Sequence, residues 1–111
     1  MKIYIAGKIT GDPDYRAKFA DAQRQIEAQG HIALNPATLP EGMEPKDYMR
    51  ICFAMIDVAD RVLFLRDWFL STGAKIEMSY CDYIGKKYIL ASMRNGFNAG
   101  KRRTEDGTTD I

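Results

Sequence analysis

Glu77 lies in the segment Ser71-Thr72-Gly73-Ala74-Lys75-Ile76-Glu77, just after the apolar run Arg61-Val62-Leu63-Phe64-Leu65. An apolar strand, a short loop of small and hydroxyl residues and a helix start make an anion-binding arrangement, because unpaired backbone N–H groups and the helix dipole point there. Glu77 adds a carboxylate to that cradle. A capping glutamate belongs at the third helical position after a Ser or Thr, which counting from Ser71 or Thr72 assigns to Ala74 or Lys75. Glu77 is therefore too deep to be a cap. Helix side chains lean toward the N-terminus, which sets Glu77 over Gly73 and Ala74, the two smallest neighbours on offer. The expected product is a carboxylate with open space above it and anion-binding backbone beside it. Taken alone, Gly-Ala-x-x-Glu favours a solvated helix glutamate, so its weight depends on what else converges there.

The second suggestive stretch, Gly7-Lys8-Ile9-Thr10-Gly11, follows the first apolar run. It offers flexible backbone beside a cation and a hydroxyl, and with Ser71, Thr72 and Gly73 it suits a phosphate or another polar ligand end. A solvated loop lysine and a turn-fixing threonine are the plainer readings of Lys8 and Thr10. Arg16 is a reserve anion ligand. Trp68 follows Asp67 in the loop before Ser71, where an indole either stacks on a base or covers core.

Positioning these groups requires strands that alternate with helices, and the hydropathy pattern supplies them. Residues 2–6 alternate as a strand that Gly7 breaks, and Asp14 is placed to cap the helix that follows. Tyr15, Phe19, Ala22 and Ile26 recur at helical spacing until Gly30. Residues 31–34 read as a second strand closed by Asn35-Pro36, and 37–44 as an irregular loop. Pro45 begins a helix carried by 46–58. Its Tyr48, Met49, Ile51, Cys52, Phe53, Met55, Ile56 and Val58 leave little polar face, which predicts cover on more than one side, a second subunit included. Residues 61–65 form a third strand, 72–84 a third long helix ended near Gly85, and 87–91 a fourth strand. This alternation implies a parallel sheet. Ligands in such sheets sit beyond the carboxyl ends of the strands, where the loops 7–14, 35–44 and 66–72 meet. Residues 93–111 read as a polar tail whose Lys101-Arg102-Arg103 triplet is solvated.

The 111 residues fit one domain, and a formal net charge of +1 predicts no strong field for nucleic acid or an anionic membrane. Cys52 and Cys81 are too few for a disulfide framework and lack metal-ligand spacing; with no secretory signal pattern, the expected compartment is a reducing cytoplasm. A lone His31 argues against a His/Cys zinc site, no apolar run reaches membrane-spanning length, and no metal or organic cofactor is required.

As an ordered set, Lys2-Ile3-Tyr4-Ile5-Ala6-Gly7-Lys8-Ile9-Thr10-Gly11, Asn35-Pro36, Asp47-Tyr48-Met49-Arg50-Ile51-Cys52, Asp67-Trp68 and Ser71-x-Gly73-Ala74-x-x-Glu77 resembles a phage-associated domain of unknown function, number 4406. That group is similar to the nucleoside 2-deoxyribosyltransferases and the 2'-deoxynucleoside 5'-phosphate N-hydrolases. The resemblance runs over residues 2–90. It implies a single-domain α/β fold over residues 1–92: a Rossmann-like (flavodoxin-like), doubly wound parallel sheet of four to five strands with flanking helices, dimeric or larger.

The resemblance further implies that Glu77 attacks the anomeric carbon of a deoxynucleoside or its 5'-phosphate, releasing the base and forming a glycosyl ester. Water, or a second base, then takes the sugar. Ser71 stands where the nucleotide hydrolases carry a phosphate-contacting serine and the transferases an aspartate, which favours a nucleoside 5'-monophosphate. Tyr4 matches an aromatic position near sugar and nucleophile, or is an ordinary core tyrosine. One departure stands out. Cys52 occupies the place of the wider family's aspartate, and a thiol is a poor acid for helping a base leave, which makes Asp67 or Asp57 the candidates to compensate. The expected catalytic residues are Glu77, Tyr4 and Asp67, and the expected substrate contacts Gly7, Lys8, Thr10, Ser71, Gly73 and Trp68. The expected partners are a small-molecule nucleotide and further copies of the chain, in a host cytoplasm if phage-encoded. The competing readings are a nucleotide-binding module of the same fold, another glycohydrolase, and a structural self-associating protein.

Overall fold

The first strand shows how the chain builds two cores at once. In β1 (Lys2–Ala6) side chains alternate across the sheet, so Ile3 and Ile5 enter one apolar cluster while Tyr4 and Ala6 enter another. The computed structural model describes residues 1–91; the tail expected over 93–111 lies outside the described residues.

The remaining elements are α1 (Tyr15–Ala28), β2 (Ile32–Leu34), α2 (Pro45–Val58), β3 (Arg61–Phe64), α3 (Thr72–Ile84) and β4 (Tyr88–Leu90). The four strands are all parallel in the order β2-β1-β3-β4. Phe19 and Ile26 of α1 close the cluster on Ile3, Ile5, Leu63 and Ile89. Cys52 and Ile56 of α2 and Cys81 of α3 close the opposite face on Tyr4, Val62 and Phe64. The sheet is thus doubly wound, and strand order reverses between β1 and β3.

Several local expectations meet their physical limits. Asp14 precedes α1 but its side chain makes no cap; instead its N–H donates to Asp12 Oδ1 at 2.9 Å, an Asx turn that starts the helix from one turn earlier. The loop after β2 is not wholly irregular, because Asn35 Oδ1 accepts from Ala37 N–H at 2.8 Å and caps a 3₁₀ turn at Pro36–Thr38. Only Cys52 and Ile56 of α2 are buried, while Ile51 and Val58 face outward, so the described residues do not cover that side of the helix. The Phe53 ring does find cover, stacking on Tyr80 of α3 with centroids 4.3 Å apart. α3 ends as expected at Gly85, whose φ of 75° is the left-handed geometry that favours glycine.

Candidate active site

The site begins with the cap of α3. Ser71 Oγ accepts from Ala74 N–H at 3.1 Å, so the hydroxyl fixes the helix start and keeps its own O–H to donate. The helix start leaves N–H groups at Thr72 and Gly73 without intrahelical acceptors. A little more than one turn later Glu77 points inward and is the buried charged residue among those described.

Glu77 is held from the strand side. Tyr4, 1% exposed at the centre of β1, donates its phenol O–H to Glu77 Oε2 at 2.8 Å. Burial pushes the Glu77 carboxyl up from 4.5 to about 7, against hydrogen bonds from Tyr4 and Cys52 that pull it down. Burial also raises the Tyr4 phenol well above its usual value and the Cys52 thiol to about 11. The three groups form one unit: a carboxylate near its titration point, with a neutral phenol and a neutral thiol as partners.

This unit lies in a cavity of about 720 Å³, within the ~300–1,000 Å³ typical of small-molecule sites. The cavity opens at the carboxyl ends of β1 and β3, where strand order reverses. Its polar side carries Lys8, Thr10, Ser71, Thr72 and Gly73, and its apolar side Pro36, Leu39, Pro40, Met43, Tyr48 and Met49. The structure therefore brings Tyr4, Gly7, Lys8, Thr10, Ser71, Gly73 and Glu77 to one space.

The two glycines in this set differ. A Cβ on Gly7 would stand 2.9 Å from Leu65 Cδ1, so Gly7 serves the close approach of the loops after β1 and β3. A Cβ on Gly73 would meet only Met49 Sδ at 3.7 Å and Ser71 Oγ at 3.9 Å, which is ordinary contact. At Gly73 the missing side chain leaves room for a ligand.

Two expected site residues do not line the cavity. Asp67 turns away to accept from Lys8 N–H at 3.1 Å with Oδ1 and from the Lys18 ammonium with Oδ2. Lys18 also donates to Lys8 O at 2.9 Å and Asp12 Oδ2 at 2.5 Å. Asp67 is thus part of a clamp that shapes the Lys8 loop, not an acid beside Glu77. Trp68 packs into the core, edge-on to Phe64 with centroids 5.5 Å apart. Asp57 is no substitute either, since it is exposed and accepts from Tyr80 O–H at 2.6 Å. Arg16 is engaged by Ala37 O and Glu41.

Sequence reasoning missed Lys18 and the internal role of Tyr48. Both lie on helices where their types read as a solvated cation and a core-facing ring. Tyr48 turns back to Pro40 and Met43 in the loop before its helix, and Lys18 joins the loop before its own helix to Asp67, 49 residues on, pairings that no helical periodicity reports.

Among the described residues, no group of three or more His, Cys, Asp or Glu side chains could hold a metal ion. No helix of the described residues is long and apolar enough to cross a membrane.

The chain shares the fold of a 2-deoxyribosyltransferase from Leishmania mexicana, with a TM-score of 0.65 and 21% identity over 82% of this chain. It spans 63% of that enzyme's length. A conserved protein from Enterococcus faecalis V583 has the same fold, with a TM-score of 0.59 and 16% identity over 90% of this chain and 68% of its own. No curated protein matches. The protein belongs to the family described as domain of unknown function DUF4406, whose sequence profile matches residues 1–90.

Proposed function

We propose that the protein is an N-glycosidic bond hydrolase, or base-exchanging transferase, acting on nucleoside 5'-monophosphates, deoxy in preference. The observation that carries this reading is Glu77, buried at the cavity floor and bonded at 2.8 Å by Tyr4, with the α3 N-terminus beside it.

Glu77 in its ionised form attacks the anomeric carbon as the bond from that carbon to the base nitrogen breaks. The bonding electron pair leaves with the base, which takes a proton, and a glycosyl ester of Glu77 remains. Water then attacks the anomeric carbon as its bond to the Glu77 oxygen breaks; that bonding pair returns to the carboxylate, and the water loses a proton to give the free sugar phosphate. Tyr4 holds the attacking carboxylate in one orientation. Burial serves this chemistry twice, because it strips water from the nucleophile and strengthens its attraction to a developing oxocarbenium charge. Ser71 O–H, the Thr72 and Gly73 N–H groups and Lys8 hold the phosphate. Exposed Ile51 and Val58 on α2 support association of copies, which would give that helix the cover it lacks among the described residues.

Cys52 favours a second reading, a nucleotide-binding module of the same fold. With its thiol held at about 11, it is too weak an acid to help a base leave at neutral pH. Incubating the protein and a Glu77→Gln variant with deoxy- and ribonucleoside 5'-monophosphates and free nucleosides, and following free base by chromatography, separates the two. Base released from monophosphates by the parent alone is expected. Nucleotide binding without base release by either protein would leave the binding module.

A further inference from the structure

We propose that Lys18 is a positioning residue: through Asp67 it sets the spacing between the two halves of the phosphate subsite, and it leaves the Lys8 ammonium free for the phosphate. This rests on the nucleotide reading above. One half of that subsite is Lys8 and Thr10 in the loop after β1, and the other is Ser71, Thr72 and Gly73 at the start of α3. The pairing of β1 with β3 ends at Ala6 and Phe64, with one further bond from Leu65 N–H to Ala6 O at 2.8 Å. Beyond it the two loops leave for helices on opposite faces of the sheet.

Lys18 bridges them. Helix side chains lean toward the N-terminus, so from the first turn of α1 its stem runs back to the loop after β1. There its three ammonium protons find three acceptors on two loops: Lys8 O at 2.9 Å, Asp12 Oδ2 at 2.5 Å and Asp67 Oδ2. Asp67 Oδ1 in turn accepts from Lys8 N–H at 3.1 Å, so the N–H and the C=O of Lys8 are both held. Asp67 carries this constraint on to Ser71 through the 3₁₀ turn Trp68–Leu70. Leu70 N–H donates to Asp67 O at 2.9 Å, and Ser71 N–H to Trp68 O at 3.0 Å. An aspartate before a helical turn ordinarily caps it, but the Asp67 side chain makes no such bond and serves Lys8 and Lys18 instead.

Charge gives Lys18 a second task. Asp12 and Asp67 are partly buried carboxylates beside a loop that, in this reading, receives an anion. Lys18 pairs with both, and among the described residues the Lys8 ammonium forms no ion pair. Without Lys18, each carboxylate can draw the Lys8 ammonium away from the phosphate or repel the phosphate itself. Lys18 does not line the cavity, so it acts through these other groups.

The test measures equilibrium binding of the four common 2'-deoxynucleoside 5'-monophosphates and of the matching free nucleosides. The proteins are the parent, Lys18→Met, Asp67→Asn and the double variant, each checked for folding by urea denaturation. The readout is the factor by which the phosphate tightens binding for a given base. A role in stability alone lowers both affinities together and leaves that factor unchanged. In Lys18→Met the factor should fall by about tenfold to a hundredfold, with free-nucleoside affinity kept within about threefold. Asp67→Asn keeps an oxygen for Lys8 N–H and loses the ion pair, so its factor should fall by less. The double variant should lose less than the product of the two single losses, because the two residues act as one unit. A factor unchanged in either folded single variant overturns the proposal, and so do losses that multiply. Asp67→Asn decides alone if Lys18→Met does not fold. A parent that prefers monophosphates beside unchanged variants leaves the nucleotide reading standing, whereas a parent that binds monophosphates no tighter than nucleosides overturns both.

Discussion

The two faces of the sheet are built from the same strands for opposite ends. On the α1 face, Ile3, Ile5, Phe19, Ile26, Leu63 and Ile89 fill the space with branched and aromatic carbon. The α2 and α3 face packs Ile56, Val62 and Phe64 too, but it also carries Tyr4, Cys52 and Cys81, which bear a polar atom, and a buried carboxylate lies among them. The first face is carbon throughout, although its Ile5, Phe19 and Ala37 reach the cavity. The second holds Glu77 where the folded state disfavours charge. In the proposed reaction the reactive group is thus one that costs the fold stability, a general feature of functional sites.

The widest separation between the faces comes from Glu77→Gln. An amide of equal shape cannot attack the anomeric carbon, so base release should fall by about 10⁴-fold or more, read by chromatography. Stability should move the other way. Glu77 binds its proton up to about pH 7 when folded but only to about 4.5 when unfolded, so the unfolded chain loses the proton first as pH rises. The parent's stability therefore declines between these values and is flat above them. Glu77→Gln should erase that slope and gain up to ~3 kcal/mol at pH 8, less any cost of a mispaired amide, by urea denaturation across pH. A variant that loses stability at pH 8 would show that Tyr4 and Cys52 more than offset the burial.

Ile26→Ala tests the other face. Removing a fully buried branched side chain from the α1 cluster should cost ~2–5 kcal/mol, seen as a fall in the denaturation midpoint. The folded fraction should keep the parent's kcat/KM and pH profile, because Ile26 does not line the cavity. A shifted profile would mean that the faces are coupled through β1.

Tyr4→Phe is expected to act through the titration of Glu77, and on base release to a smaller extent. Base release by the parent should rise with pH around a midpoint near 7, since Glu77 must be ionised to attack. The phenol hydrogen bond lowers that midpoint, so its loss should move the curve to higher pH by about one unit. Turnover at pH 7 should drop by about tenfold to a hundredfold and recover in part at pH 9. An unmoved curve would reduce Tyr4 to a core residue whose hydroxyl happens to lie near the carboxylate.

These contrasts also explain what a one-dimensional reading can reach. The alternation in residues 2–6 and the helical recurrence of Tyr15, Phe19, Ala22 and Ile26 are local signals, and the strands and helices follow them closely. Glu77 was legible because its cradle is contiguous: Ser71, Gly73 and the carboxylate all belong to one loop-helix junction. Asp67 and Trp68 were misplaced because the same type serves inside or outside a cavity according to one turn of backbone. The Lys18 clamp that captures Asp67 joins residues 49 apart in sequence and has no local mark. Cys52 shows a different limit. Its type reads as a poor acid for a leaving base, and only the fold adds that it lies against Glu77 and helps pull the carboxyl down.

Cys52 therefore gives the finest test of the comparison, through two substitutions that separate packing from chemistry. Cys52→Ala removes one of two donors to Glu77 and leaves a small gap, so the pH midpoint should rise by less than in Tyr4→Phe and turnover should fall only a few-fold. Cys52→Asp places a second carboxyl beside Glu77. Two neighbouring carboxyls share a proton, so one titrates below and one above the parent's single value. The rising pH curve should become a bell, with base release faster on its acid side because a protonated aspartate can assist the leaving base. If the aspartate variant instead matches the alanine one at every pH, the position carries no acid chemistry, and the thiol is simply what a packed face tolerates next to a nucleophile.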